Sequence, residues 1–184
     1  MMTTPGRMLR WAPGLLVLLL AGCAGSAGQR APGDAAAELE AGAPHGKYAA
    51  TYVLESSNVP GAKERATATS IYAFTVDHCD DAQCSGSVKA PAEGSFTWDG
   101  TRLVVTFEDI AKKDSCTSRD GRPMKGSTFW SNTRHWASLT TAGAPARLQG
   151  TYEQETVFSD FRNGCHPAGA DRQRARFTLM LERE

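Results

Sequence analysis

The stretch SFTWDGTRLVVTFE, residues 95–108, decides the fold. Phe96 and Trp98 alternate with polar residues, Asp99-Gly100 follows, and Leu103, Val105 and Phe107 alternate after it. A period of two sets these apolar side chains on one face of an extended chain. Asp-Gly between two such runs is a two-residue turn signal, because the turns that suit the twist of paired strands need positive φ. The stretch therefore reads as a β-hairpin with one face directed at a core.

The same period recurs on both sides. In KYAATYVLE (47–55), Tyr48, Ala50, Tyr52 and Leu54 share a face, and in SIYAFTV (70–76) Tyr72, Phe74 and Val76 do, with SNVPG (57–61) supplying turn residues between them. CSGSVKA (84–90), TFW (128–130), RHWASLT (134–140), ARLQGTYEQETVF (146–158) and RARFTLMLE (174–182) continue the pattern, and no segment sustains a helical period. About eight or nine short strands joined by hairpin-like links predict an all-β domain over residues 45–184. An antiparallel sheet of that size protects its edges by closing or folding over. The expectation is an up-and-down barrel or closed sheet of about eight strands, with a β-sandwich as the alternative.

Composition narrows the function classes. The 184 residues are 41% hydrophobic and 22% charged, which fits one globular domain with short appendages. Twenty Lys+Arg balance twenty Asp+Glu, so no global field draws the chain onto nucleic acid, which is not expected as a partner.

The N-terminus carries an address. Arg7 and Arg10 precede an apolar run, Trp11–Leu20, that is about half as long as a bilayer span needs and is interrupted by Pro13 and Gly14. Charged start, apolar segment and small residues form the layout of a signal peptide over residues 1–22. The tetrapeptide Leu20-Ala21-Gly22-Cys23 resembles the lipobox of bacterial lipoproteins. That resemblance implies cleavage before Cys23, acylation of Cys23 with diacylglycerol and a further acyl chain such as palmitate, and a membrane partner reached through the lipid. It implies an exported protein held at the cell membrane or the outer membrane. Residues 24–44 are small or polar apart from Leu39 and read as a flexible tether with a reach of about 25 Å. Ala35–Ala41 within it has the composition of a brief helical turn.

Once Cys23 is set aside, four cysteines remain, Cys79, Cys84, Cys116 and Cys165, and an even number in an exported domain points to disulfides. Cys79–Cys84 across a polar turn and Cys116–Cys165 between the loops DSCTSRDG and RNGCHPAG is the favoured pairing. A zinc site is the competing reading, since His78 and His166 adjoin cysteines and Asp77, Asp80 and Asp81 lie near, but the repeated Cys pairs typical of zinc are missing.

No motif for a nucleophile with an oriented base, for a phosphate-cradling loop or for a metalloprotease occurs, so neither catalytic residues nor a cofactor are assigned. His135, beside Trp136, is the one histidine in an expected strand. The basic runs RDGRPMK (119–125) and DRQRAR (171–176) are candidate contacts for an envelope polymer or protein. Tyr48, Trp98, Trp130 and Trp136 are candidate ligand-lining or core aromatics. Gly46-Lys47-Tyr48 on the first strand and Arg176 on the last resemble the signature of the calycin barrels. That resemblance implies that Tyr48 and Arg176 meet and that the barrel carries a small apolar ligand. The leading expectation is a non-catalytic, lipid-anchored envelope module that binds a protein, polymer or small ligand; the alternatives are the carrier of a small apolar ligand and an envelope enzyme whose residues converge only in space, in a cleft that gathers His135 or His166 with a carboxylate and a hydroxyl.

Overall fold

The first and last strands of the domain, β1 (Gly46–Ser57) and β9 (Arg172–Arg183), pair antiparallel and close the sheet into a ring. Between them run β2 (Thr67–Cys79), β3 (Cys84–Lys89), β4 (Glu93–Trp98), β5 (Arg102–Phe107), β6 (Ile110–Thr117), β7 (Pro123–Ala142) and β8 (Ala144–Ser159). Among the described residues the hydrogen-bonded order is β5-β4-β3-β2-β1-β9-β8-β7-β6, and β5 also pairs with β7, so eight of these nine strands form a closed up-and-down barrel. The sandwich alternative is thereby set aside. The computed structural model describes residues 32–90, 92–117, 122–142, 144–165 and 171–184. The expected leader, Cys23 and the first part of the expected tether (residues 1–31), His166, and residues 119–121 of the first basic run lie outside the described residues.

The core follows the period read in the sequence. Tyr48, Ala50, Tyr52 and Leu54 of β1, Tyr72 and Phe74 of β2, Phe96 and Trp98 of β4, Leu103, Val105 and Phe107 of β5, and Leu179 and Leu181 of β9 all turn inward and are buried. The strands are strongly staggered. The register row Gly46–Phe74–Val88–Gly94–Phe107 leads to His135, whose ring lies 6.3 Å from that of Phe107, and the row His135–Gln154–Ala175–Ser57 returns to β1 at its far end. Stagger of this kind widens a barrel enough to admit a packed aromatic interior.

Four local differences from the sequence reading have physical causes. The β4–β5 turn is centred on Gly100-Thr101, one residue later than Asp-Gly suggests. Gly100 has a φ of 92°, and Asp99 stands at the first corner with Oδ1 accepting from the Thr101 and Arg102 amides at 3.0 and 2.7 Å. TFW and RHWASLT are one strand, β7, continuous through Ser131-Asn132-Thr133 because both of its edges are paired there. β6, not expected from its polar sequence IAKKDSCT, lies outside the ring and among the described residues pairs with β7 alone, so it buries little on either face. Cys116 accordingly stands near the end of a strand rather than in a loop.

Part of the stretch read as flexible tether is helical. α1 (Pro32–Gly42) lies against one end of the barrel, where Leu39 packs on the core and Gly42 approaches the Trp98 indole. Ala-rich composition favours the helix, and the barrel end supplies the apolar contact that an isolated eleven-residue helix lacks. The Cys79–Cys84 disulfide closes the β2–β3 turn at this same end, where Asp80 Oδ1 accepts from the Ala82 and Gln83 amides, both at 2.8 Å. The opposite end extends into an arm made of β6, the first half of β7 and the end of β8. Cys116–Cys165 staples that arm, and the Asn163 side-chain amide donates to Gly126 O at 2.7 Å.

Candidate functional site

Both the inside and the outside of the barrel offer sites, and volume separates them. Inside, Tyr52, Tyr72, Tyr152, Phe107 and Phe177 interlock edge to face, with the Tyr52 and Tyr72 rings tilted at 41° to each other. Tyr52 donates to Tyr72 Oη at 2.8 Å, and His135 Nδ1 is hydrogen-bonded to Tyr152 Oη. Burial raises the phenol pKa of Tyr72, reinforced by Tyr52, and burial also raises that of Tyr152. Burial lowers the pKa of His135 against a weaker opposing pull from the Asp109 carboxylate. Burial likewise raises the phenol pKa of Tyr52, against its hydrogen bond to Tyr72, so all four groups are neutral near pH 7. The space left among Tyr72, Ala92, Phe107, Ile110, His135 and Tyr152 is about 40 Å³, room for about one water. An apolar ligand does not enter this interior unless side chains move.

Outside, a groove of about 680 Å³ runs over β7, β8, β9 and the end of β1. Its side chains follow from register and alternation. Trp136 lies opposite Glu153, Glu153 opposite Arg176, and Arg176 opposite Ser56, one outward row crossing four strands. The next outward row is Arg134, Glu155 and Arg174. A second hollow of about 310 Å³ continues over Asn132, Arg134, Glu155, Val157, Ser159 and Arg172, sharing Glu155 with the first. β1 is held against β9 past its regular ladder by Asn58, whose Oδ1 accepts from the Arg174 amide at 2.6 Å while Nδ2 donates to Arg172 O at 3.0 Å. A bulge between Leu54 and Ser56 lets the strand reach that position.

The charges of the groove are mutually satisfied. Arg174 donates to Glu155 at 2.7 Å, Arg172 lies 3.6 Å from the same carboxylate, Arg134 pairs with Asp109 at 3.0 Å, and Arg176 lies between Glu55 at 3.3 Å and Glu153 at 3.9 Å. The Arg174 hydrogen bond, with the charges of Arg172, Arg174 and Arg134, holds Glu155 below the usual carboxylate range. Trp136 stands beside this lattice with 37% of its surface exposed, and Trp130, on the same face of β7 and opposite Ser159, is 41% exposed.

The four aromatics picked out in the sequence thus divide. Tyr48 and Trp98 are core, and Trp130 and Trp136 face outward. The pairing implied by the calycin resemblance is not formed: Arg183 is the residue opposite Tyr48, while Arg176 lies toward the far end of β1 opposite Ser56, because the stagger carries β9 past that position. All four domain cysteines are joined as Cys79–Cys84 and Cys116–Cys165, so none is left as a zinc thiolate, and Asp80 is engaged in its own turn. His135 points into the core at Tyr152 instead of into a cleft with a carboxylate. Arg172, Arg174 and Arg176 of the second basic run enter the groove, where the acids of β8 neutralise them. Sequence reasoning missed Asn58, Arg134, Glu153 and Glu155. The signal for the two glutamates was the alternation of Glu at 153 and 155 against Arg at 172, 174 and 176 on strands that prove adjacent.

No family model matches the chain, and no curated protein matches it in sequence. Among solved structures, that of EF1p2_mFAP2b bound to DFHBI aligns with 81% of this chain and 97% of its own, at 12% identity and a TM-score of 0.38.

Proposed function

We propose that the chain is an exported lipoprotein, acylated at Cys23, whose barrel is a non-catalytic binding module of the bacterial cell envelope with the outer groove as its ligand face. The observation that carries the binding reading is the exposed Trp136 beside the groove of about 680 Å³, a volume in the range of ligand sites. The lipobox supports the anchor, and two disulfides fit an oxidising compartment. More than one acyl chain on Cys23 gives a durable hold. The residues between Cys23 and the start of α1 at Pro32 span at most about 30 Å when extended, so the helix-covered end of the barrel rides close to the membrane.

The test expresses the full chain and its Cys23→Ala and Trp136→Ala variants in a bacterial host. Mass spectrometry of the membrane fraction is expected to find a chain starting at an acylated Cys23, with the Cys23→Ala protein released. Isolated envelopes are expected to retain solubilised protein through Trp136. An unacylated membrane protein sinks the anchor, and retention indifferent to Trp136→Ala sinks the ligand face.

A further inference from the structure

A ligand face is specified by what its surface lacks as much as by what it displays, and the outer groove lacks net charge. Each guanidinium along it, Arg134, Arg172, Arg174 and Arg176, already has a carboxylate partner among Asp109, Glu155, Glu55 and Glu153. A polyanion docking here must compete with those carboxylates for the arginines, and a basic peptide must compete with the arginines for the carboxylates. A neutral ligand rich in hydroxyls avoids both costs. The paired groups keep free lone pairs and N–H bonds, and held by each other they stay in place as preorganised acceptors and donors.

Flat apolar surfaces stand at both ends of this face: Trp136 lines the groove, and Trp130 stands past the second hollow, opposite its lining residue Ser159. Trp130 and Trp136 project from the same face of β7, six residues and so about 20 Å apart along the strand. Between them lie the outward Asn132 and Arg134, and beyond Trp136 the exposed Thr106 and Ser95 continue its cross-strand row with hydroxyls. An indole face suits the C–H face of a pyranose ring, and the polar lattice beside it suits that ring's equatorial hydroxyls.

From this pattern we infer that the groove takes a linear, uncharged polysaccharide chain, one ring stacked on Trp136 and another several units along on Trp130, with the Glu153/Arg176 pair in the Trp136 row and the Glu155/Arg174 pair in the next row toward Trp130 hydrogen-bonding its hydroxyls. The inference rests on the reading of the groove as the ligand face and adds the chemical class of the ligand.

The test titrates the full-length chain in detergent, by tryptophan fluorescence and calorimetry, with three neutral probes, the β-1,4-linked N-acetylglucosamine hexamer, cellohexaose and maltohexaose, and with heparin as the polyanion. At least one neutral hexamer is expected to bind, with an affinity that changes less than about twofold between low and high salt, since no ion pair is exchanged. Trp136→Ala is expected to weaken it by about tenfold or more, as truncation of an aromatic anchor does. Trp136→Phe, which keeps a ring face, retains most of the affinity and separates loss of the platform from misfolding. Trp130→Ala weakens the hexamer and leaves the corresponding disaccharide unaffected.

The inference is overturned if none of the three hexamers binds, if heparin binds in a salt-sensitive manner and displaces them, or if Trp136→Ala changes nothing. Failure with the glycans alongside Trp136-dependent retention on envelopes overturns the ligand class and leaves the ligand face standing. Failure of both takes the ligand face with it.

Discussion

Removing the Cys116–Cys165 bond is the perturbation with the clearest expected size. The two cysteines are 49 residues apart, and the closed loop contains all of β7 and β8, two strands of the ring. Constraining a loop of that length in the unfolded chain is worth about 4 kcal/mol, against about 2 kcal/mol for the five-residue separation of Cys79–Cys84. Alanine is the right replacement, because Cys84 and Cys165 are buried and serine leaves an unsatisfied hydroxyl behind. Urea unfolding followed by tryptophan fluorescence and circular dichroism measures both double variants. With a urea slope of about 2 kcal/mol per molar, Cys116→Ala/Cys165→Ala lowers the midpoint by about 2 M and Cys79→Ala/Cys84→Ala by about 1 M. A loss for the long loop equal to or smaller than that for the short one refutes the reasoning, and means the arm unfolds separately from the ring.

Further expectations follow from the packing. In Gly150→Ala the new Cβ meets Ser138 O at 2.0 Å and Leu139 Cα at 2.7 Å, backbone atoms that do not yield easily, so a loss of about 3 kcal/mol is expected in the same urea assay. The Trp98 indole N–H is buried without a hydrogen-bond partner among the described residues, so Trp98→Phe is expected to lose less than about 2 kcal/mol while Trp98→Ala loses about 3–5, and equal losses contradict this. Because burial lowers the pKa of His135, the unfolded chain binds that proton first as pH falls. Stability is complete above the ordinary histidine value of 6.5 and declines below it. The decline in urea midpoint between about pH 7.5 and 5.5 is expected to be smaller in His135→Gln, and an unchanged decline removes His135 as its source. Leu39→Asp is expected to release α1 from the barrel end and shift Trp98 emission to the red, and emission that stays put shows that the helix does not shield the indole.

What the sequence disclosed follows from which residues carry a two-sided environment. Strands with one face in the core and one in water, such as β1, β5 and β9, announce themselves by alternation. Among the described residues β6 has partners along one edge only and is exposed over most of its length, so its sequence had no period to read. The middle of β7 is polar for a related reason. Its inward row there is Ser131 and Thr133, which bond to Lys112 O and to Thr156 instead of entering the apolar core. The disulfide partners were legible because each pair brackets a turn or a hairpin end. α1 was half legible, as composition suggested a turn and only the docking of Leu39 makes it a helix. The groove was the least legible part. Trp130 and Trp136 were visible as aromatics, but the Glu/Arg rows exist only once β7, β8 and β9 are set in register.

The seam between β1 and β9 governs the order of events during folding. Its partners, such as Tyr48 and Arg183, come from opposite ends of the domain, so no nascent fragment can complete the ring. Until the final strand arrives, β1 is a two-residue-period edge with half its main-chain groups unpaired and Tyr48 and Tyr52 in water. Such distant closure places the domain among slow folders, on a timescale of about milliseconds to seconds. The C-terminal segment, from Arg172 to Arg183, is therefore the latch, and a chain shortened by those residues is an open, adhesive sheet rather than a smaller barrel.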